Sequence, residues 1–509
     1  LDPVSPQSKF SPAGPVFSAF CQPALWLTFP WFRDIVFKWL FLKYERIEIY
    51  MEKNKEAKEV DLGTGSVGKL LFQLALPAIT AQIINVLYNM VDRMYIGHLP
   101  GEGANALTGV GVTFPVIMAI SAFAALVSMG GAPRASIMLG KGRKDEAENI
   151  LGNCTTALIT VAVVLTAFFL IFGRRILLMF GASGNTIEYG WAYMQIYSLG
   201  TIFVQLALGL NAFINAQGYA KTGMYTVLIG AICNIILDPI LMFVFHMGVR
   251  GAALATIISQ GISAAWVVLF LISNKSYLKI RTCFMRPKRE ILMPAIALGA
   301  APFVMQFTES ILNICFNTSL LKYGGDVAVG AMTIMGSVMQ FSLLPLQGLT
   351  QGAQPIISFN YGAKKLDRVS RTFRLLLTSC MTYSTVLWAV AMFVPMVYIR
   401  IFTQDAALTA FSEWSIRIYM AASLLFGAQL ACQQTFIAIG DSKTSLFLAL
   451  LRKVILLIPL IYVLPNLFEN KVFAVFVAEP IADTIAVCTT VTLFLLSFRK
   501  MKRELGANA

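Results

Sequence analysis

Histidine is nearly missing from this chain of 509 residues: it has two, His98 and His246, each without a second histidine or a cysteine close by. That scarcity argues against a zinc or copper centre. The eight cysteines are scattered, mostly within apolar runs, with no Cys-x-x-Cys pair, so they read as small core residues rather than metal ligands or a disulfide framework. Charge is scarce too. Asp, Glu, Lys and Arg make up 13% of the residues against about a quarter in soluble domains, and the mean hydropathy is +0.71. A soluble globular fold is thereby excluded. No His/Asp cluster, Ser-His arrangement or phosphate-cradling loop points to an enzyme. Gly63-Thr-Gly65-Ser-Val-Gly68 fits G-x-G-x-x-G, but it follows a charged stretch and leads into an apolar run, whereas a dinucleotide fingerprint must follow a buried strand.

Apolar runs fill the space that these absences leave. From Lys69 onward, stretches of 20 or more apolar residues recur, each long enough to cross about 30 Å of hydrocarbon as helix. Twelve are expected between residues 70 and 498, giving an all-α polytopic membrane protein. The net charge of +14 would suggest nucleic acid in a soluble chain. Here the basic residues gather in alternate connections: Lys141, Arg143 and Lys144; Lys221; Lys275 to Arg289; Lys364, Lys365 and Arg368; Lys443; and Arg499 to Arg503. That is the positive-inside pattern, so nucleic acid is not a partner and both ends from Met51 onward are expected in the cytoplasm of a cell with this protein in its inner membrane.

The chain also repeats itself. Gly130, Pro133, Ser136, Gly140 and Asp145 recur 222 positions later as Gly352, Pro355, Ser358, Gly362 and Asp367. An even number of spans separates the equivalents, so the halves share orientation as a parallel repeat about a pseudo-two-fold axis along the membrane normal. The expected organisation is an odd leader over 1–50, read as a mis-annotated or non-native extension before a natural start at Met51. A cytoplasmic segment (51–69), a first six-helix lobe (70–273), an inter-lobe loop (274–289), a second lobe (290–498) and a cytoplasmic tail (499–509) follow.

Asp238 stands inside an apolar run, in Asn234-Ile-Ile-Leu-Asp238-Pro239. A charge near a bilayer centre costs about 2.5–3.5 kcal/mol on the insertion scale, so such an acid is paired, protonated or binding a cation. Asn234 lies one turn earlier on the same face, offering an amide oxygen beside the carboxylate. Gln82, Asn85, Asn89 and Asp92 form one stripe on the first span, at steps of three, four and three. Two acids among amide oxygens suit a hard cation such as Na⁺, and burial lets the same pair exchange protons near neutral pH. In the second half, Gln306, Glu309 and Asn313 echo that stripe, Gln347 and Gln351 belong to a glutamine stripe on the eighth span, and Glu479 and Asp483 flank Pro480. With Gln82, Asn85 and Asn89 of the first span, Gln306, Glu309, Asn313, Gln347 and Gln351 are the substrate-cleft candidates, while Glu479 and Asp483 form an i, i+4 pair with no role assigned. Positions equivalent to Asp92 and Asp238 are apolar there, so only the first lobe is expected to hold a coupling ion. No cofactor and no transition metal are expected.

Tyr88-Asn-Met-Val-Asp92-Arg-Met-Tyr-Ile-Gly97, the Asn234 to Ile240 stretch, Gly248-Val-Arg-Gly251-Ala-Ala-Leu-Ala-Thr256 and Gln217-Gly218-Tyr-Ala-Lys221-Thr222 resemble the multidrug and toxic-compound extrusion (MATE) family, in its bacterial MepA-like branch. The resemblance covers about 60–500. It implies two six-helix lobes around a central cleft and antiport of organic cations against Na⁺ or H⁺; the expected partners are cationic or aromatic drugs and membrane lipids, and a monomer is expected. It also implies an amino-lobe cation site at Asp92, Asn234, Asp238 and Thr256, and an acid in span seven at Glu309. An acid that some members carry in span ten is replaced here by Gln429, Gln433 and Gln434. The competing expectations are a lipid-linked oligosaccharide flippase of the same superfold and an integral-membrane enzyme. Flippases favour a large cationic cavity, whereas this cleft is lined by acids and glutamines.

Overall fold

The computed structural model describes residues 61–100, 103–402 and 405–506; the leader expected over 1–50, with 51–60 and the last three residues, lies outside them. Among the described residues every regular element is helical. In lipid each N–H and C=O must be satisfied within its own segment, which a helix achieves by itself. We number the helices α1 (Val67–Gly97), α2 (Gly103–Gly140), α3 (Lys144–Met179), α4 (Ile187–Leu199), α5 (Thr201–Ala216), α6 (Ala220–Pro239) and α7 (Gly248–Ile272) in the first half. The second half has α8 (Arg289–Gly362), α9 (Leu366–Phe393), α10 (Met396–Phe402), α11 (Ala406–Tyr419), α12 (Phe426–Ile439), α13 (Ser442–Leu450), α14 (Ile458–Val463) and α15 (Lys471–Gly506).

Nine helical stretches among the described residues are long and apolar enough to cross a membrane, and two bent pairs bring the number to eleven. The twelfth crossing is folded into α8. Its 74 residues would reach about 110 Å if straight, several times the hydrocarbon thickness. Gly325 breaks it with φ 65° and ψ −162°, a conformation that is essentially glycine-only. Leu312, Phe316 and Leu320 before the break share one core cluster with Ala328, Met332 and Met335 after it, so the two arms lie side by side as separate spans.

Two spans that read as continuous in the sequence are bent in the structure. The run 191–217 falls within α4 and α5, which meet at 58°, at Gly200. A Cβ there would stand 2.4 Å from the Ile257 side chain, so the missing side chain lets α7 press into the bend. The run 408–439 breaks by 46° between α11 and the turn leading to α12. Around the break Ala421, Ser423 and Leu425 donate to Ile418, Met420 and Ala422, i to i−3 bonds that tighten the chain into 3₁₀ geometry and turn its axis. Neither bend has a proline to announce it.

The halves exchange packing at the end of the bundle that carries the basic loops 140–144 and 362–366. Leu70, Leu71, Leu74 and Ala75 of α1 belong to a second-half core with Ile356, Ile357 and Phe373, and Ala295 of α8 belongs to a first-half core with Ala132 and Ile150. Glycines allow the close approach. A Cβ on Gly352 would meet the Ala75 main chain at 2.5 Å, and one on Gly299 would meet the Leu126 carbonyl oxygen at 1.8 Å.

A polar clasp covers the same end. Arg368 donates from Nη1 to the Gly65 carbonyl (2.8 Å) and from Nη2 to those of Thr64 (2.8 Å) and Leu62 (3.2 Å). Lys365 donates to the Gly63 carbonyl and Asn360 to that of Leu62, both at 2.8 Å. The glycine-rich stretch that mimics a nucleotide fingerprint is therefore the tether by which the foot of α1 is held to the second half. Within it, the Thr64 hydroxyl and the Gly63 amide donate to Asp61, and these bonds hold its carboxyl below the usual carboxylate range.

Candidate functional site

Three helices of the first half bring four polar side chains together inside the bundle. Asp92 comes from α1, Asn234 and Asp238 from α6, and Thr256 from α7. Pro239 ends α6, and the chain continues as a π turn over Ile240–Val244; proline withdraws one N–H and the ladder re-registers behind it. Asn234 donates from Nδ2 to Asp238 Oδ1 at 3.1 Å and lies 3.5 Å from Thr256 Oγ1. Thr256 in turn donates to the Ala252 carbonyl (3.0 Å). The carboxyl groups of Asp92 and Asp238 lie within hydrogen-bonding reach of each other. Tyr193, stacked on Tyr197 with ring centroids 6.0 Å apart, approaches Thr256 and closes the group from α4.

The Asn234 amide is turned differently from the sequence expectation. Its nitrogen, not its oxygen, faces the carboxylate, because only the N–H can donate to Asp238. That leaves Asn234 Oδ1 without a protein partner, together with Asp92 Oδ1 and Asp238 Oδ2, all three buried. Buried polar atoms are ordinarily satisfied, and each exception asks for an explanation. Three orphaned oxygens in one group form an all-oxygen donor set of the kind that Na⁺ accepts; a proton shared between the two carboxyls satisfies part of the same need.

The remaining polar stripe of α1 runs from this group along the helix. Gln82 and Asn85 are half-buried and Asn89 is exposed, with Asn89 Nδ2 donating to the Asn85 carbonyl at 2.6 Å. On α8, Gln306 (half-buried), Glu309 and Asn313 (exposed) lie on the first arm, and Gln347 (exposed) and Gln351 (half-buried) on the second.

Glu309, expected as an acid of the cleft, already has a cation beside it. It is paired with Lys453, and the neighbouring Arg452 reaches Asp483 at 2.5 Å and Glu479 at 3.5 Å. Sequence reasoning passed over both bases. The signal was present: two adjacent basic residues inside the apolar run 443–465 carry the same insertion cost that singled out Asp238. Arg452 and Lys453 sit on a π turn, Leu451–Leu457, in the span equivalent to α6 and its own π turn. Glu479 and Asp483 thus serve as counter-ions to Arg452 instead of standing as a separate acidic pair.

Together, a repeated helical bundle, a buried polar group and stripes of amides on α1 and α8 define a polytopic membrane transporter rather than an enzyme. The MatE family model matches the chain twice, over 77–240 and 302–463, once in each half, and the chain belongs to that family. It is similar to the multidrug export protein MepA of Staphylococcus haemolyticus, 25% identical over 437 residues that cover 85% of this chain and 93% of that one. The MepA of Staphylococcus aureus is 26% identical over 440 residues, covering 85% and 95%. Two solved structures share the fold. A MATE transporter in its bent conformation has a TM-score of 0.83 at 21% identity, over 88% of this chain and 99% of that one. The outward-facing conformation of a multidrug resistance MATE transporter of the MOP superfamily has a TM-score of 0.81 at 22% identity, over 87% and 99%.

Proposed function

We propose that this protein is a secondary active exporter of organic cations, cationic or aromatic drugs, driven by antiport against Na⁺ or H⁺. The observation that carries the reading is the set of orphaned oxygens on Asp92, Asn234 and Asp238, which fits a coupling cation better than a structural hydrogen-bond network. Relatives that export multiple drugs support the substrate class. With the chain from Met51, its carboxy end and the basic loops in the cytoplasm, as the positive-inside rule requires, the interdigitated end of the bundle is the cytoplasmic one, and a cleft between α1 and α8 would open outward. Na⁺ or H⁺ entering from outside would bind the cage and lower the affinity of the cleft for drug; the ion can act only through different affinities for the two states. Release of the ion inside then restores the drug-binding state. The chain works as a monomer in a cell membrane, among lipids, without a resident cofactor.

A flippase reading gains nothing from Arg452 and Lys453, since Glu309, Glu479 and Asp483 outnumber them. Everted membrane vesicles carrying the protein test the proposal, with a proton gradient and a sodium gradient imposed separately and ethidium movement followed. Dye movement under one gradient identifies the coupling ion. No movement under either would overturn the reading.

A further inference from the structure

The second half holds five ionisable side chains in two ion-pair sets carried by adjacent residues: Lys453 on Glu309, and Arg452 on Asp483 and Glu479. Three acids face two bases. With all three acids ionised the group is one positive charge short of neutrality, and the shortfall has a location. Asp483 Oδ2 is buried without a partner on a side chain that is 1% exposed. An uncompensated carboxylate oxygen at that depth is costly unless a further cation reaches the group.

The Lys453–Glu309 pair has an inside and an outside. The Lys453 side chain is 6% exposed and that of Glu309 is 59% exposed. Gln306, Glu309, Asn313 and Asn317 fall on one face of α8, while the exposed apolar residues Phe307, Ile311 and Ile314 fall on another. A polar face at membrane depth lines a water-filled cleft, not lipid. Glu309 therefore meets whatever enters the cleft, and Lys453 approaches it from behind. The π turn that carries Lys453 also directs the adjacent Arg452 to a different helix, α15, and such turns recur at functional sites.

We propose that Lys453 is a displaceable internal cation that sets affinity at this site. In the empty cleft its ammonium occupies Glu309. An organic monocation takes that carboxylate and moves Lys453 toward Glu479 and Asp483, where the group lacks one positive charge. Glu479 is held by Arg452 only at 3.5 Å, and Lys453 is long and flexible enough to change partners. With the substrate bound, three positive charges balance three negative ones. This inference rests on the cation-export reading above.

Equilibrium binding of tetraphenylphosphonium to the purified full-length protein tests it. Lys453→Met is expected to bind about tenfold tighter than wild type, Lys453→Arg within about twofold of it, and Glu309→Gln about tenfold weaker. The double variant should match Glu309→Gln, because the competitor matters only while its acid is present. Should Lys453→Met prove polydisperse, Lys453→Gln replaces it with the same expectation. If the Lys453 variants bind no tighter while Glu309→Gln still binds weaker, the displaceable cation is refuted and cation recognition stands. If Glu309→Gln binds as wild type does, the reading of this cleft as a cation site falls with it.

Discussion

Gly140 packs so closely on the second half that a Cβ there would stand 2.0 Å from the carbonyl oxygen of Phe359. Its repeat mate Gly362 stands in the same relation to Ile137, the mate of Phe359, at 2.1 Å. Both pairs are related by the 222-residue offset, so the pseudo-two-fold axis passes between them. The glycines that recur in the sequence are the surface on which the two halves meet.

Gly362→Val would force that surface apart. Overpacking a close contact costs about 1–3 kcal/mol, enough to shift the balance toward a conformer open at the basic-loop end. Spin labels at positions 141 and 364 should report a longer distance in the variant than in wild type; an unchanged distance would show that the glycine contact does not control closure.

Arg368→Ala removes donors from three main-chain carbonyls at the foot of α1. Each lost hydrogen bond from a charged donor is worth about 1.5–3 kcal/mol, and the carbonyls are near enough to water to recover part of that. Amide hydrogen exchange over residues 61–66 should quicken about tenfold. Arg368→Lys should not restore protection, since an ammonium cannot span the three acceptors as the guanidinium fork does.

Arg452→Met would leave Glu479 and Asp483 facing each other without a counter-ion. Breaking a buried pair from one side costs about 3–5 kcal/mol. The variant should lose monodispersity at a clearly lower temperature in a size-exclusion melt, and adding Asp483→Asn should recover a substantial part of the loss. Equal stability of the single and double variants would count against the ion-pair assignment.

Asp238→Asn keeps the shape of the cage and removes a charge from it. Gradient-driven dye export in vesicles should fall at least about tenfold, as expected when a polar contact central to function is lost, with protein levels near wild type because a neutral amide is easier to bury. Wild-type export by this variant would remove Asp238 from the coupling site.

Much of this protein is determined locally, by what lipid tolerates. The number of spans follows from run length, the parallel repeat from the offset of Gly130 and Gly140 to Gly352 and Gly362, and the standing of Asp92 and Asp238 from the cost of charge in an apolar run. What crosses between helices was decided only by tertiary structure. Asn234 turns its nitrogen to Asp238 because only a donor fits there, the bend at Gly200 answers to Ile257 packed against it, and Gly63 to Gly65 became a tether because Arg368 lies 303 positions away from Gly65 in sequence but 2.8 Å away in space. The pairing of Lys453 with Glu309 is the sharpest instance. Each residue is visible alone as a costly charge, but sequence spacing says nothing about which charges share a low-dielectric neighbourhood, and that proximity determines whether an acid stands open to a ligand or is already occupied.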